Sequence, residues 1–266
     1  MPAPEILPDA PLLLREDDGP IARLTLNRPD QFNALSEEML DALQLTLDEI
    51  AETPAIRLVT IGARGKAFCA GHDLKQMRAR PDQHYYEWLF RKCSRMMLTM
   101  MRLPQPVIAR VQGIATAAGC QLVANCDLAV ASEDARFATS GIGVGLFCFT
   151  PGVALSRNVS RKDAFEMLFT GDFIDAPRAK SMGLVNRVVL PEALDKAVDA
   201  LAAPILSKSA AAVAAGKRAY YRQLEMGVDA AYAFTAEEMA RNMMCADASE
   251  GIDAFLQKRK PEWTHK

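Results

Sequence analysis

Apolar and polar positions alternate over residues 21–26, IARLTL, as they do in a strand with one buried face, and Asn27-Arg28-Pro29 closes the run. After Ser36 the period changes. Met39, Leu40, Leu43, Leu47 and Ile50 recur at helical spacing, Ser36 is placed to cap them, Glu38 lies in the first turn, and Pro54 stops the helix. Residues 57–61 predict a second strand, followed by a turn over 62–65. Residues 84–102 predict a long helix between Pro81 and Pro104. The apolar run holding Val107, Ile108 and Val111 is a further strand; a small-residue turn, a helical run over 121–125 and a strand over 128–131 follow it. Glu133 and Asp134 predict a hairpin turn, and residues 161–169 and 177–182 predict helices. Beyond 191 the pattern is helical only, over 191–203, 209–224, 230–244 and 252–257. The fold class is therefore α/β, with an N-terminal extension over 1–20, a βα core over 21–200 and a helical region over 201–266.

Two turns carry candidate chemistry. The first, from Gly113 to Gly119, is built of small residues, with Ala115, Ala117 and Ala118 inside it. A turn of this kind at a helix start leaves backbone N–H groups approachable. The second lies in KAFCAGHDLK, residues 66–75. Phe68, Cys69 and Ala70 predict a buried run, Gly71 breaks it, and Asp73 is placed to cap the next helix, which leaves the N–H of His72 free. Two N–H groups from separate turns, aimed at one point, form an oxyanion hole.

Composition excludes several classes. Net charge is −2, from 31 basic and 33 acidic residues, and no basic stripe suggests a nucleic-acid partner. The six cysteines lie apart, without a CxxC pair or zinc spacing, so no metal is expected and the thiols are read as reduced. No apolar run approaches membrane-spanning length. The opening residues are proline-rich and acidic, unlike a signal or transit peptide, which predicts a bacterial, cytoplasmic protein.

These stretches together resemble the crotonase superfamily, the enoyl-CoA hydratase/isomerase family. The marks are Asn27-Arg28-Pro29 with Asn33-Ala34-Leu35, then residues 68–75, Gly113 to Gly119, Cys126-Asp127, Leu168-Phe169-Thr170-Gly171, Ala179 with Gly183-Leu184-Val185, and residues 255–260. GLFCFTPGVA, residues 145–154, and the ending AFLQKRKPEW are similar to one subgroup of it. The resemblance implies a repeated ββα spiral, a C-terminal trimerisation region, and a homotrimer or dimer of trimers. It implies acyl-CoA thioesters of fatty acid metabolism as substrates, with CoA part of the substrate and no separate cofactor. It places the oxyanion donors on His72 and Ala118. It also implies substrate contacts from Gln31, Phe32, Ala70, Asp73, Leu74, Lys75 and Gly119, with Phe255 and Lys258 reaching a neighbouring subunit's CoA.

One departure matters for the chemistry. Hydratases of this family use two glutamates, and those positions fall on Gln121 and Gly141. An amide exchanges no proton at neutral pH, though it can hold a water, and glycine offers no side chain. His72 through its ring, Cys148 and Glu87 are weaker candidates, each with a packing or surface role as the plain alternative. The methionines 96, 97, 100 and 101 suit either an adaptable acyl pocket or ordinary core. Three readings stay open: a hydratase-like lyase or isomerase with water held by Gln121, a thioester reaction needing no strong base such as decarboxylation, and an acyl-CoA-binding protein without chemistry. Clp-type peptidases share the fold but need a serine in the small-residue turn, where only Thr116 carries a hydroxyl.

Overall fold

The computed structural model describes residues 10–265. In chain order the main elements are β1 (Leu13–Asp18), β2 (Ile21–Leu26), α1 (Glu37–Ala51), β3 (Leu58–Ala63), β4 (Ala67–Cys69), α2 (Leu74–Ala79), α3 (Gln83–Arg102), β5 (Val107–Val111), β6 (Ile114–Thr116), α4 (Ala118–Asn125), β7 (Leu128–Ser132), β8 (Arg136–Ala138), α5 (Phe149–Leu155), α6 (Arg161–Thr170), β9 (Ile174–Asp175), α7 (Ala176–Met182), β10 (Arg187–Val189), α8 (Leu194–Leu206), α9 (Ala210–Leu224), α10 (Val228–Met243) and α11 (Ala246–Leu256). Ser36 caps α1 by accepting from the Met39 N–H, at the boundary its sequence position predicts.

One sheet has six strands in the order β1-β2-β3-β5-β7-β10, parallel except for the β1–β2 pair. The other has four, β4-β6-β8-β9, with only β9 antiparallel. The chain visits the sheets in turn: β3 then β4, β5 then β6, β7 then β8, and helices follow each visit. This is the ββα spiral that the crotonase resemblance implies. Glu133-Asp134 therefore makes no hairpin; it is the corner at which the chain leaves one sheet for the other. Leu13–Asp18, which sequence places in an extension, forms the edge strand of the larger sheet. The part of the expected extension over 1–9 lies outside the described residues.

Alternate strand positions face opposite sides. Leu58, Ile108 and Val130 point to α8, where Leu194, Val198 and Ala202 cover them. Val59, Val107, Ala109 and Ala131 point the other way into the main core, with α1 and α3. Burial on both faces is why these parallel strands read as continuous apolar runs rather than alternating ones. Met96, Met97 and Met100 belong to the main core.

A buried ion pair ties α9 to this core. The Lys217 ammonium donates to the carbonyls of Met100 and Gln105, each at 2.9 Å, and to Asp127 Oδ2 at 2.6 Å. Asp127 also accepts from the Val107 N–H and the Tyr221 hydroxyl, both at 2.7 Å. All three ammonium protons are thus used.

Candidate active site

Two turns meet where the smaller sheet ends. Leu35 forms a parallel bridge with His72: the Leu35 N–H donates to the Gly71 carbonyl at 2.8 Å, and the Asp73 N–H donates to the Leu35 carbonyl at 3.4 Å. In that pattern the N–H of His72 faces away from Leu35, and it has no backbone acceptor among the described residues. Asp73 caps α2 by accepting from the N–H groups of Lys75 and Gln76. Arg28, which donates to the Ala34 carbonyl, lies 3.4 Å from Asp73 and fastens the turn. Asn33 holds the other side: its amide donates to the carbonyls of Arg64 and Ala67, and its oxygen accepts from the Arg28 N–H.

The second turn precedes α4. Ala117 stands at φ 50° and ψ −120°, a left-handed conformation that is uncommon outside glycine. Its N–H donates to the Ala138 carbonyl and its own carbonyl accepts from Gln121. The N–H of Ala118, next in the chain, has no backbone acceptor among the described residues. The two turns touch. A Cβ built on Gly71 would lie 2.9 Å from Ala117 Cβ and 3.2 Å from the Ala118 nitrogen; one on Gly119 would lie 2.0 Å from the Cys69 carbonyl oxygen. Only glycines let the backbones approach this closely.

Both His72 and Ala118 line one cavity of ≈ 210 Å³, together with Ala70, Leu74 and Gly141. The rest of the wall is mainly apolar, from Met77, Phe90, Leu146, Phe147 and Phe149, with Cys148, Ser140 and Thr150 as polar exceptions. No carboxylate and no lysine or arginine belongs to it. Ser140 and Thr116 share a hydroxyl pair at 2.7 Å. Burial pushes the Cys148 thiol up, which keeps it protonated.

The other expected site residues lie elsewhere. Gln121 is buried within α4 and does not line this cavity; its Oε1 has no hydrogen-bond partner. Gly119 serves the close packing on Cys69. Gln31, Phe32 and Lys75 are exposed outside the cavity. Phe255 lines a separate groove with Cys245 and Trp263, and Lys258 is exposed beyond α11. Of the wall over 146–151 the sequence singles out only Cys148, which does line the cavity; Phe90, Met77 and the rest of that wall it does not. The apolar run GLFCFT was their one signal, and such a run reads equally as core.

His72 is half-buried as a residue, yet both ring nitrogens are out of reach of solvent; neither makes a hydrogen bond of full geometry, though the Leu35 backbone stands close enough to favour the charged ring slightly. Phe90 meets the ring edge-on at 5.4 Å. Burial pushes the imidazole down to about 4 from 6.5, so it is neutral at pH 7. Between those values the unfolded chain binds a proton that the folded chain does not. The contribution is complete above pH 6.5 and is lost as pH falls to about 4. At about 1.4 kcal/mol per pH unit the loss is roughly 3 kcal/mol. The urea midpoint is expected to drop across this window, and His72→Phe to flatten the drop. Equal slopes in both proteins would refute the assignment.

Comparison with known proteins decides the family. The profile of the family described as "Enoyl-CoA hydratase/isomerase" matches residues 16–266. The chain belongs to this family. Within it, a Xenopus laevis relative, enoyl-CoA hydratase domain-containing protein 3, mitochondrial, is 47% identical over 97% of this chain and 88% of its own. That is the subgroup that residues 145–154 resemble. Among solved structures, an enoyl-CoA hydratase of Mycobacterium smegmatis matches with TM-score 0.94 and 61% identity, covering 96% of this chain and 99% of that one. Human enoyl-CoA hydratase domain-containing protein 3 matches with TM-score 0.92 and 43% identity, covering 95% and 100%. These relatives correct the expected cytoplasmic location: the Xenopus laevis protein, matched over nearly the whole chain, is named mitochondrial.

Proposed function

We propose that this member of the enoyl-CoA hydratase/isomerase family acts on acyl-CoA thioesters by stabilising a thioester enolate between the N–H groups of His72 and Ala118. The observation that carries the reading is that both amides lack backbone acceptors and belong to residues lining one cavity. Bond changes at the α or β carbon move negative charge onto the thioester oxygen, and fixed amides stabilise it without rearranging. Proton transfer does not fall to a glutamate pair, since the family's two positions carry Gln121 and Gly141 and the wall holds no carboxylate. The reaction is then of the lyase or isomerase kind with a proton carried by water, or one that generates the enolate directly.

The test is incubation with a mixed acyl-CoA panel, including crotonyl-, 3-hydroxybutyryl- and methylmalonyl-CoA, with product masses followed. Turnover of any member supports the reading; tight binding of thioesters with no product at high protein concentration leaves only a binding role.

A glutamate at 141 is not expected to install a base. A Cβ there would lie 2.4 Å from the Leu146 carbonyl oxygen and 2.9 Å from Cys148 Sγ. The Leu146 N–H also donates to the Gly141 carbonyl at 2.9 Å, which fixes the approach. Gly141→Glu should therefore lose about 1–3 kcal/mol through overpacking and gain no crotonyl-CoA hydration. A thermal melt and a hydration assay check both; an active, unshifted variant contradicts it.

For assembly we propose a trimer or dimer of trimers. The C-terminal helices expose Tyr232, Met239, Met243, Met244 and Leu256, apolar surface of the kind a subunit interface covers. Light scattering after size exclusion should give three or six times the 29.1 kDa chain mass.

A further inference from the structure

We infer that Phe90 of α3 is a specificity-determining residue that sets acyl length, so that the cavity takes acyl-CoA thioesters with chains of up to about six carbons and turns away longer ones. The inference rests on the reading of the His72 and Ala118 amides as the thioester grip.

Three observations point this way. The first is direction. CoA is larger than a drug-sized ligand, whose sites take about 300–1,000 Å³. It cannot enter a cavity of ≈ 210 Å³, so it leaves by the open end, where Leu74, Val144 and Phe149 are exposed. The acyl chain then runs toward the closed end, where Met77 is buried and Phe90 half-buried. The second is the stop. Phe90 meets the His72 ring edge-on at 5.4 Å, so it stands close to the residue that grips the thioester oxygen. The next positions on its face of α3 are Cys93 and Met97, which are 1% and 3% exposed within the main core. A close-packed interior has no room for more chain. The Tyr86 hydroxyl donates to the Met77 carbonyl at 3.1 Å, which ties α2 to α3 and keeps this end from opening. The third is size. At about 30 Å³ per water-sized group, the cavity holds about seven such groups. A thioester carbonyl uses about two of these places, which leaves about five for the rest of the chain. The mainly apolar wall suits methylenes up to that limit.

The test measures binding of acetyl-, butyryl-, hexanoyl-, octanoyl- and dodecanoyl-CoA by calorimetry, below micelle-forming concentrations and with ligand masses checked before and after. Wild-type affinity should rise about fourfold per methylene as far as hexanoyl-CoA. By dodecanoyl-CoA it should have fallen at least about tenfold from that optimum, since the extra chain overpacks the closed end. Phe90→Ala should move the optimum to octanoyl-CoA or beyond, and Phe90→Leu part of the way, with circular dichroism as the fold control. A separate ligand, S-butyl-CoA, lacks the carbonyl oxygen and reports on the grip alone; it should bind more weakly than butyryl-CoA. Wild-type affinity that keeps rising to dodecanoyl-CoA, or an optimum that neither variant moves, overturns the inference while the S-butyl comparison still upholds the grip. If S-butyl- and butyryl-CoA bind alike, or no thioester binds wild type at all, the grip itself is wrong and the inference falls with it.

Discussion

Gly71→Ala is expected to lower kcat/KM by about 10²–10³ toward whichever thioester the acyl-CoA panel identifies, the loss typical of one missing oxyanion donor. Gly71 holds φ +93°, where an L side chain is strained at a cost of order 1–3 kcal/mol. The added Cβ would also press on Ala117 Cβ at 2.9 Å and on the Ala118 nitrogen at 3.2 Å. It would act as a wedge between the two turns that carry the donors. The damage is therefore to the spacing of the amides and not to any reacting side chain. Steady-state kinetics with circular dichroism as a fold control check this. Activity within threefold of wild type would mean that the spacing of these turns does not set the rate.

The second large effect concerns stability. Lys217→Met is expected to cost about 3 kcal/mol, the low end for a broken buried pair, because it leaves the largely buried Asp127 carboxylate with no counter-charge. Asp127 keeps the Val107 N–H and the Tyr221 hydroxyl, but those donors carry no charge. The carbonyls of Met100 and Gln105 lose their donor at the same time. The melting temperature should fall by about 10 °C. Lys217→Met with Asp127→Asn should recover part of the loss, since the orphaned charge is gone. A single variant melting within two degrees of wild type would show that α9 is held by apolar packing instead.

Local physics made much of this molecule legible in the sequence. The cap at Ser36, the break at Gly71 and the small residues from Gly113 to Gly119 act within a few positions of one another, so periodicity and turn chemistry suffice to find them. Strands β4, β6 and β8, three residues each, are too short to show a period. The Lys217–Asp127 pair joins residues 90 positions apart, and no local pattern signals it. Asp127 follows the end of α4 in sequence, yet it pairs with Lys217 of α9. Cys148 apart, the cavity wall over 146–151 was hidden for a different reason. Whether GLFCFT faces core or cavity depends on what packs opposite, and that is His72 and Phe90, supplied by other elements. The burial of the His72 imidazole likewise becomes visible only with the neighbours in place.

On the proposed reading the groups that grip the oxygen belong to the main chain, so short of proline, which carries no N–H, no substitution at either residue deletes them. Mutation can rewrite every side chain around them and still hand the next generation a working anchor for a thioester. A lineage on this fold is free to discard one acid–base scheme and try another, provided the glycines between the bends survive. A search for enzymes by catalytic side chain alone would pass over such a protein.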